Sequence, residues 1–307
     1  MRKIQTVSLI GLGAIGASYG CKIQELLGNN FQVIVNEERM RRYKRDGFQI
    51  NGSKQQFNYT TPETETEPAD LVIIATKNAE LQQAIEDARY HIGPDTIILS
   101  LLNGISSEED IYKATGNEHI LYSMCVGIDA VRDKQNIDYS SIGMICYGEK
   151  DKSVSNDVLA VKELFEEAGV PYEISEDIWH TIWAKFMFNV GINQTSAVLK
   201  APYKYFQQIP SLHNWMESAM YEVVAISQKV GVNLMEKDVH HYRPILLKLS
   251  PEGKTSMLQD VEANRKTEVE YFAGKVCELG KEFGISTPVN DQLYRMIHII
   301  EEMDKVE

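Results

Sequence analysis

The sequence predicts an α/β domain built on a doubly wound sheet, followed by an all-α domain, and three observations lead there. Short Val/Ile/Leu runs alternate with helical patterns through the first half of the chain. Beyond residue 176 only long helical periodicities remain. The 307 residues are too many for one average domain and suit two. The first domain is therefore placed at residues 1–175 and the second at residues 176–307.

The elements follow in order. "TVSLIGLG" reads as a strand, "AIGASYGCKIQELLG" as a helix and "FQVIVN" as a second strand. "ERMRRYKRDG" is a helix ended by Gly47, "ADLVIIATK" a third strand, "NAELQQAIEDARYHI" a helix and "DTIILSLLNG" a fourth strand. "HILYSMCVGI" and "SIGMICYGE" are further strands. Uninterrupted apolar runs between helices indicate a parallel sheet covered on both faces. The acidic "TPETETEPAD" is an exposed loop ahead of the third strand. In the second domain, "SLHNWMESAMYEVVAISQKVG" is a helix ended by Gly231, and "TEVEYFAGKVCELGKEFG" one ended by Gly284. Ser256, Asp260, Asn264 and Glu268 form an i+4 ladder on a further helical stretch.

The first strand-to-helix junction carries the clearest chemistry. Gly11, Gly13 and Gly16 stand in GxGxxG spacing, with Leu12, Ala14 and Ile15 completing the loop. The first glycine permits a tight turn, the second lets a pyrophosphate approach the backbone, and the third lets the helix pack closely. The helix N-terminus then offers unpaired N–H groups to phosphates. This is a Rossmann-type dinucleotide-binding signal. An acidic residue at the tip of the second strand would select NAD, and a nearby arginine NADP. The tip is Asn36, which is neutral; Arg39, Arg41 and Arg42 follow, interleaved with Glu37 and Glu38. The basic excess favours NADP; the alternative is that those arginines form a solvated helix face.

Composition narrows the partners. A formal net charge of −13 argues against nucleic acid or an anionic membrane. No apolar run approaches the ~20 residues of a membrane span. Cys21, Cys125, Cys146 and Cys277 are scattered without zinc-ligand spacing, which reads as free thiols in the cytoplasm. His240, His241 and Asp238 lack a convincing third ligand, so no metal is expected. The aromatic cluster "APYKYFQQIPSLHNWM" is explained equally by a homodimer contact and by domain packing.

One stretch stands out in the second domain. "WAKFMFNVGINQTSAV" is apolar nearly all round as a helix, yet Lys185, Asn189 and Asn193 recur every fourth residue. Burying such groups without partners costs several kcal/mol each. An interhelical hydrogen-bond seam would account for the stripe as well as a site would. His180, five residues before Lys185, is a weaker candidate acid.

With "GLGAIG", "VIIATKNAE", "LLNGI", "WAKFMFNVGIN" and "TSMLQDVEANRKTEVEY" in view, the chain resembles the ketopantoate reductases over nearly its whole length. The resemblance implies a Rossmann domain joined to an all-helical domain of the 6-phosphogluconate dehydrogenase C-terminal type. It places the active site in the cleft between the domains, with NADPH as hydride donor and a small 2-keto acid as substrate. Lys185 takes the place of the catalytic lysine and Glu268 that of the essential glutamate, which also borders the cofactor. Asn189, Asn193 and Ser256 match substrate-binding residues, as does Asp260 with a less defined role. Lys77 matches a cofactor residue, and Asn103 one at both cofactor and substrate. The implied reaction is reduction of 2-dehydropantoate to pantoate, serving pantothenate and coenzyme A synthesis.

The chain departs from the pattern in places. Many members carry arginine where Asn36 stands, and glycine and proline where Asn264 and Lys266 stand. The usual histidine-glycine pattern is absent near "NIDYSSIGMICYGE". A related 2-keto or 3-hydroxy acid dehydrogenase therefore stays open, as does a dinucleotide-sensing protein without catalysis. The intact Lys185 and Glu268 speak against the sensor.

Overall fold

The computed structural model describes residues 2–303; Met1 and residues 304–307, the outer ends of the two expected domains, lie outside the described residues. The chain divides into two compact units, Met1–Ile178 and Trp179–Glu307.

The first unit runs β1 (Val7–Ile10), α1 (Ala14–Leu27), β2 (Phe31–Ile34), α2 (Glu37–Asp46), β3 (Phe48–Ile50), β4 (Ser53–Gln55), β5 (Tyr59–Thr60), β6 (Leu71–Ile74), α3 (Leu81–Asp87), β7 (Ile97–Ser100), α4 (Ser107–Thr115), β8 (Ile120–Ile128), β9 (Val131–Asp133), β10 (Asn136–Asp138), β11 (Ile142–Gly148), α5 (Asn156–Ala168) and β12 (Tyr172–Ile174). Every strand predicted from an apolar run is present. The short strands β3, β4, β5, β9, β10 and β12 are additions, as are α4 and α5. Strands of two or three residues are too short to show a period of two. The helix predicted over "NAELQQAIEDARYHI" is shorter, with α3 flanked by 3-10 turns at Asn78–Glu80 and Arg89–His91.

The main sheet has eight strands in the order β12-β11-β8-β7-β6-β1-β2-β5. The strands are buried on both faces because alternate residues enter two separate cores. Leu9, Ile73 and Leu99 join one, and Ile10, Ile74 and Ile98 the other. The expectation of a wholly parallel sheet is corrected at one edge, where β11 runs antiparallel to β8. Only the small β9–β10 hairpin intervenes there, and a parallel pairing needs a longer crossover, usually through a helix. A second sheet, β4-β3-β10-β9, joins that hairpin to the strand after α2: Gln49 pairs with Asn136 and Ile50 with Ile137.

Glu108, in the first turn of α4, is buried at 4% exposure. The Ser107 hydroxyl donates to its Oε2 at 2.9 Å and the Ser123 amide to its Oε1 at 3.4 Å. Ser100 at the end of β7 donates in turn to Ser107 at 2.8 Å. Burial outweighs these hydrogen bonds and pushes the carboxyl up to about 7.

The second unit contains α6 (Ile178–Leu199), α7 (Tyr203–Gln208), α8 (Pro210–Ser227), α9 (Glu236–Lys248), α10 (Ser256–Glu262), α11 (Ala273–Phe283) and α12 (Pro288–Met303), with no strand among the described residues. Gly284 ends α11 in the left-handed region, as its sequence predicted, but the helix begins at Ala273 rather than at Thr267: Val269–Tyr271 form a 3-10 turn and Phe272, at φ −110 and ψ −93, breaks the helical path. α8 ends at Ser227, four residues short of Gly231, and closes through turns. α6 sits in the core. A β-carbon on Gly191 would lie 2.6 Å from Met220 Cγ and 2.9 Å from the Met216 carbonyl oxygen, so α8 crosses α6 at that glycine. The Gln194 side chain donates to Asn290 on α12 and accepts from the Ala273 amide at 2.9 Å. In the aromatic cluster Phe206 is buried, whereas Tyr205 and Ile209 are exposed. Among the described residues no helix is long and apolar enough to cross a membrane.

Two predictions follow from this packing. Gly191→Ala gains helix propensity worth up to ~1 kcal/mol but forces overpacking against α8 worth ~1–3 kcal/mol. The variant should be net destabilised, read as a lower urea midpoint; an unchanged or raised midpoint would refute the close crossing. Glu108 retains in the native state a proton that the unfolded chain releases near its ordinary value of 4.5. It therefore costs stability progressively as pH rises from about 4.5 through about 7, by up to ~3 kcal/mol. Glu108→Gln removes that slope. Relative to the parent, its urea midpoint should rise more at pH 8 than at pH 5, and an equal difference at both pH values would show that Glu108 is not protonated in the native state.

Candidate functional site

In the first unit the predicted residues gather at the carboxyl ends of β1, β2, β6 and β7. In open α/β sheets this is the ligand-binding edge, at the point where strand order reverses on either side of β1. Gly11 has φ +103, and a β-carbon there would lie 2.5 Å from the backbone of Ala75. A β-carbon on Gly16 would lie 2.0 Å from the Gly11 carbonyl oxygen. Both glycines are demanded by the fold itself. Gly13 is different. Its φ is −73, and a β-carbon would meet nothing closer than the Ala75 carbonyl oxygen at 3.9 Å. The protein leaves open space beside Gly13, where a bound group would come against the backbone.

The donor set suits an anion at that place. α1 begins after Gly13 with no side-chain cap and no acidic residue in its first turn. Its leading N–H groups are thus left for an outside acceptor. Ala14 and Ile15 form that first turn, and Leu12 is buried with its carbonyl accepting from Arg132 Nη1. Next to the loop, Thr76 Oγ1 is buried without a hydrogen-bond partner. Lys77 follows at the start of a 3-10 turn. Asn78 donates to the Asn103 carbonyl at 2.8 Å and so ties the loop after β6 to the loop after β7.

Asn36 caps α2, its Oδ1 accepting from the Arg39 amide at 2.8 Å. Its side-chain N–H groups and the second lone pair of Oδ1 remain for a ribose. The three arginines beyond it differ in state. Arg41 is paired with Glu37 at 2.6 Å, and Arg39 lies 3.9 Å from Glu80. Arg42 instead lies over the Tyr43 ring.

In the second unit Lys185, Asn189 and Asn193 occupy three successive turns of α6. Asn193 is 6% exposed, while Lys185 and Asn189 are half-buried. Neighbouring side chains fix the helix. The Phe186 ring stacks on Phe272 with centroids 6.2 Å apart, and Phe188 on Tyr242 at 4.4 Å. Thr255, the N-cap of α10, donates to Ser196 Oγ at 3.2 Å. Ser256, exposed, is therefore presented next to the turn of α6 that follows Asn193. Glu268 lies four residues ahead of Phe272, whose ring meets α6 one residue after Lys185.

The continuous ladder from Ser256 to Glu268 is corrected. α10 ends at Glu262, and Asn264 has φ +49. Arg265 turns back, its amide donating to the Asp260 carbonyl at 2.9 Å and its Nε to Asp260 Oδ1 at 2.8 Å. Thr267 is held by Glu301 at 2.6 Å. A left-handed Asn with a closing ion pair ends a helix, so Ser256 and Glu268 stand on separate elements. Asp260, 7% exposed, thus carries a turn-closing ion pair. His180 lies 3.5 Å from Asp238. Among the described residues no group of His, Cys, Asp and Glu could hold a metal. Thr76, Asn78 and Arg132 were not singled out by the sequence. The first two flank Lys77 and its strand end, a signal that was present; Arg132 acts 120 residues from Leu12 and had none.

Comparison with known proteins adds to this geometry. The family described as "Ketopantoate reductase PanE/ApbA" matches residues 7–152, and "Ketopantoate reductase PanE/ApbA C terminal" matches residues 177–301. A 2-dehydropantoate 2-reductase of Archaeoglobus fulgidus is 26% identical over 300 residues, covering 97% of this chain and 99% of that one. Two solved structures share the fold. A D-mandelate dehydrogenase with NADH and anilino(oxo)acetate has a TM-score of 0.88 at 23% identity, covering 98% of this chain and 100% of that one. A dimeric ketopantoate reductase from Staphylococcus aureus has a TM-score of 0.81 at 20% identity, covering 97% and 99%. Matched in both units by the two parts of one family, with the glycine loop in the first and the Lys-Asn-Asn stripe in the second, the chain belongs to the ketopantoate reductase family.

Proposed function

We propose that this protein reduces 2-dehydropantoate to pantoate with NADPH, as a cytoplasmic homodimer. The observation that carries the reading is the stripe on α6, with Ser256 and Glu268 each on a segment tethered to that helix. Nearly full-length similarity to a 2-dehydropantoate 2-reductase supports the substrate, and the dimeric relative supports the assembly. The space beside Gly13 and the uncapped start of α1 support a dinucleotide.

When bound, the nicotinamide supplies a hydride to the ketone carbon. The chain's own residues handle the charge that results. The Lys185 ammonium donates a proton to the carbonyl oxygen as it becomes an alkoxide, a role worth ~10²–10⁴ in rate. Asn189 and Asn193 orient the keto acid without adding charge. Ser256, with Asn103, donates to the substrate carboxylate, and Glu268 accepts from Lys185 or from the distal hydroxyl. Lys77 and Thr76 serve the cofactor beside the glycine loop.

A second reading has its own support. The D-mandelate dehydrogenase of the same fold was solved with NADH, and Asn36 is neutral. A reductase of a different 2-keto acid using NADH is therefore the competitor. A panel of 2-keto acids assayed with NADPH and NADH separates the two. The highest kcat/KM is expected for 2-dehydropantoate with NADPH; a preference for 2-oxo-2-phenylacetate or for NADH would overturn that part of the reading.

Lys185→Ala should lower kcat by ~10²–10⁴ while leaving the dissociation constant for NADPH unchanged. Near-normal turnover in a folded variant would remove Lys185 from the mechanism. The glycines give a contrast. Gly13→Ala should change stability by no more than ~1 kcal/mol, the scale of an N-cap exchange. It should nevertheless weaken NADPH binding tenfold or more, which corresponds to ~1.4 kcal/mol. Gly16→Ala should instead lower the melting temperature. Unaltered NADPH affinity in Gly13→Ala would show that no phosphate approaches that backbone.

A further inference from the structure

Glu268 is not carried by a regular helix. α10 ends at Glu262 and α11 begins at Ala273, and Glu268 heads the 3-10 turn Val269–Tyr271 on the return between them. Its backbone is at φ −94 and ψ 26. The turn is closed by the Tyr271 amide donating to the Glu268 carbonyl at 2.9 Å and the Phe272 amide to the Val269 carbonyl at 3.2 Å. Short 3-10 segments have poorer hydrogen-bond geometry than α-helices. A carboxylate on such a turn has no helix of its own to fix its direction and depends on support from outside.

α12 supplies that support on both sides. Ahead of Glu268, Glu301 Oε1 accepts from the Thr267 amide at 2.8 Å and from the Thr267 hydroxyl at 2.6 Å. Behind it, the Tyr294 hydroxyl donates to Glu270 Oε2 at 2.7 Å. His298 stands between these anchors, with Nε2 3.1 Å from Glu270 Oε1 and Nδ1 3.9 Å from Glu301 Oε2. Its ring meets the Tyr294 ring edge-on, centroids 4.4 Å apart. The bond to the Glu270 carboxylate, with burial adding to it, pushes the Tyr294 phenol up to about 12, so the phenol remains a donor. A β-carbon on Gly274 would lie 3.2 Å from Tyr294 Cε2 and 3.3 Å from Glu270 Oε2, so this pair is seated closely on α11. Thr267 and Val269 are buried, and Glu268 between them is half-buried.

Asn290, Tyr294, His298 and Glu301 are three or four residues apart and share one face of α12. The same face reaches α6, because Asn290 Oδ1 accepts from the Gln194 side chain at 3.2 Å. One helix therefore holds both the helix that bears the Lys-Asn-Asn stripe and the turn that bears Glu268. We infer that Glu301 and the Tyr294–Glu270 pair are positioning residues for the Glu268 carboxylate, Glu301 acting through Thr267 and Tyr294 through Glu270. The inference rests on the reading above, in which Glu268 takes part in the reduction. A misplacement of about 1 Å at a reacting group can cost ~10²-fold in rate. A group on an irregular segment owes that precision to the bonds that support it.

A double-mutant cycle on the full chain tests this, with NADPH and 2-dehydropantoate, or 2-oxo-2-phenylacetate if the parent prefers it. Glu301→Ala should lower kcat by ~10- to 100-fold in the parent, and by less than about threefold once Glu268→Ala has removed the side chain being positioned. Glu301→Gln keeps an oxygen that accepts from Thr267, and its kcat should stay within about threefold of the parent. Equal losses from Glu301→Ala in both backgrounds would make Glu301 a general support of the fold and overturn the inference, as would no loss beside an impaired Glu268→Ala. Glu301→Gln as slow as Glu301→Ala would show that the charge matters and the tether does not, and would also overturn it. If Glu301→Ala does not fold, Tyr294→Phe, which frees the other anchor, passes through the same cycle and decides the matter by the same comparison. Full turnover by Glu268→Ala overturns the role of Glu268 and the inference with it. A parent that reduces neither keto acid overturns the functional reading itself.

Discussion

The close passage of Gly11 against Ala75 is the constraint on which the first unit depends. No β-carbon fits there, and none fits on Gly16 against the Gly11 carbonyl. β1, α1 and the end of β6 are therefore locked at backbone contact distance. That contact aims the start of α1 outward, puts Thr76 beside the loop, and presents the Leu12 carbonyl to Arg132. Shifting any of these by the width of a methyl group would dissolve the arrangement. The glycine pattern matters here because of what is packed behind it as well as what could bind in front.

Charge in this protein is settled locally. The chain is acidic overall at −13, yet the corner between the glycine turn and α2 is basic. Of the arginines on α2, Arg41 and Arg45 are neutralised by neighbours one or four residues away. Such exposed pairs contribute little to stability. Their effect is to neutralise those two side chains, whereas Arg42 lies over the Tyr43 ring and Arg132, from β9, donates to the Leu12 carbonyl.

The second unit solves the opposite problem, carrying polar groups on a helix whose surroundings are apolar. Gln194 is satisfied by Asn290 and the Ala273 amide, and Thr195 by the Gly191 carbonyl. These bonds, with the ring stacks at Phe186 and Phe188, hold α6 in one rotation. The stripe of Lys185, Asn189 and Asn193 is then oriented by the packing of everything else on the helix. The turn after α10 completes this, because the Asp260–Arg265 and Thr267–Glu301 contacts return the chain to α6 near Phe186.

The sequence by itself determined what depends on neighbours along the chain. The apolar runs marked β1, β2, β6, β7, β8 and β11; Gly47 and Gly284 marked helix ends; the glycine spacing marked the turn; and the i+4 recurrence put Lys185, Asn189 and Asn193 on one face. Each is a periodicity or a backbone preference expressed within a few residues. Tertiary structure decided whatever required distant segments to meet. The antiparallel edge at β11, the two- and three-residue strands, and the unwinding between Ser256 and Glu268 depend on partners far along the chain or on side-chain closure that a spacing rule does not carry. The same holds for Arg132, separated from Tyr43 by 89 residues and brought beside it only because β10 pairs with β3. Nothing local in "AVRDKQ" distinguishes that arginine from a solvated one; the difference is made by the strand pairing that carries it to the phenol.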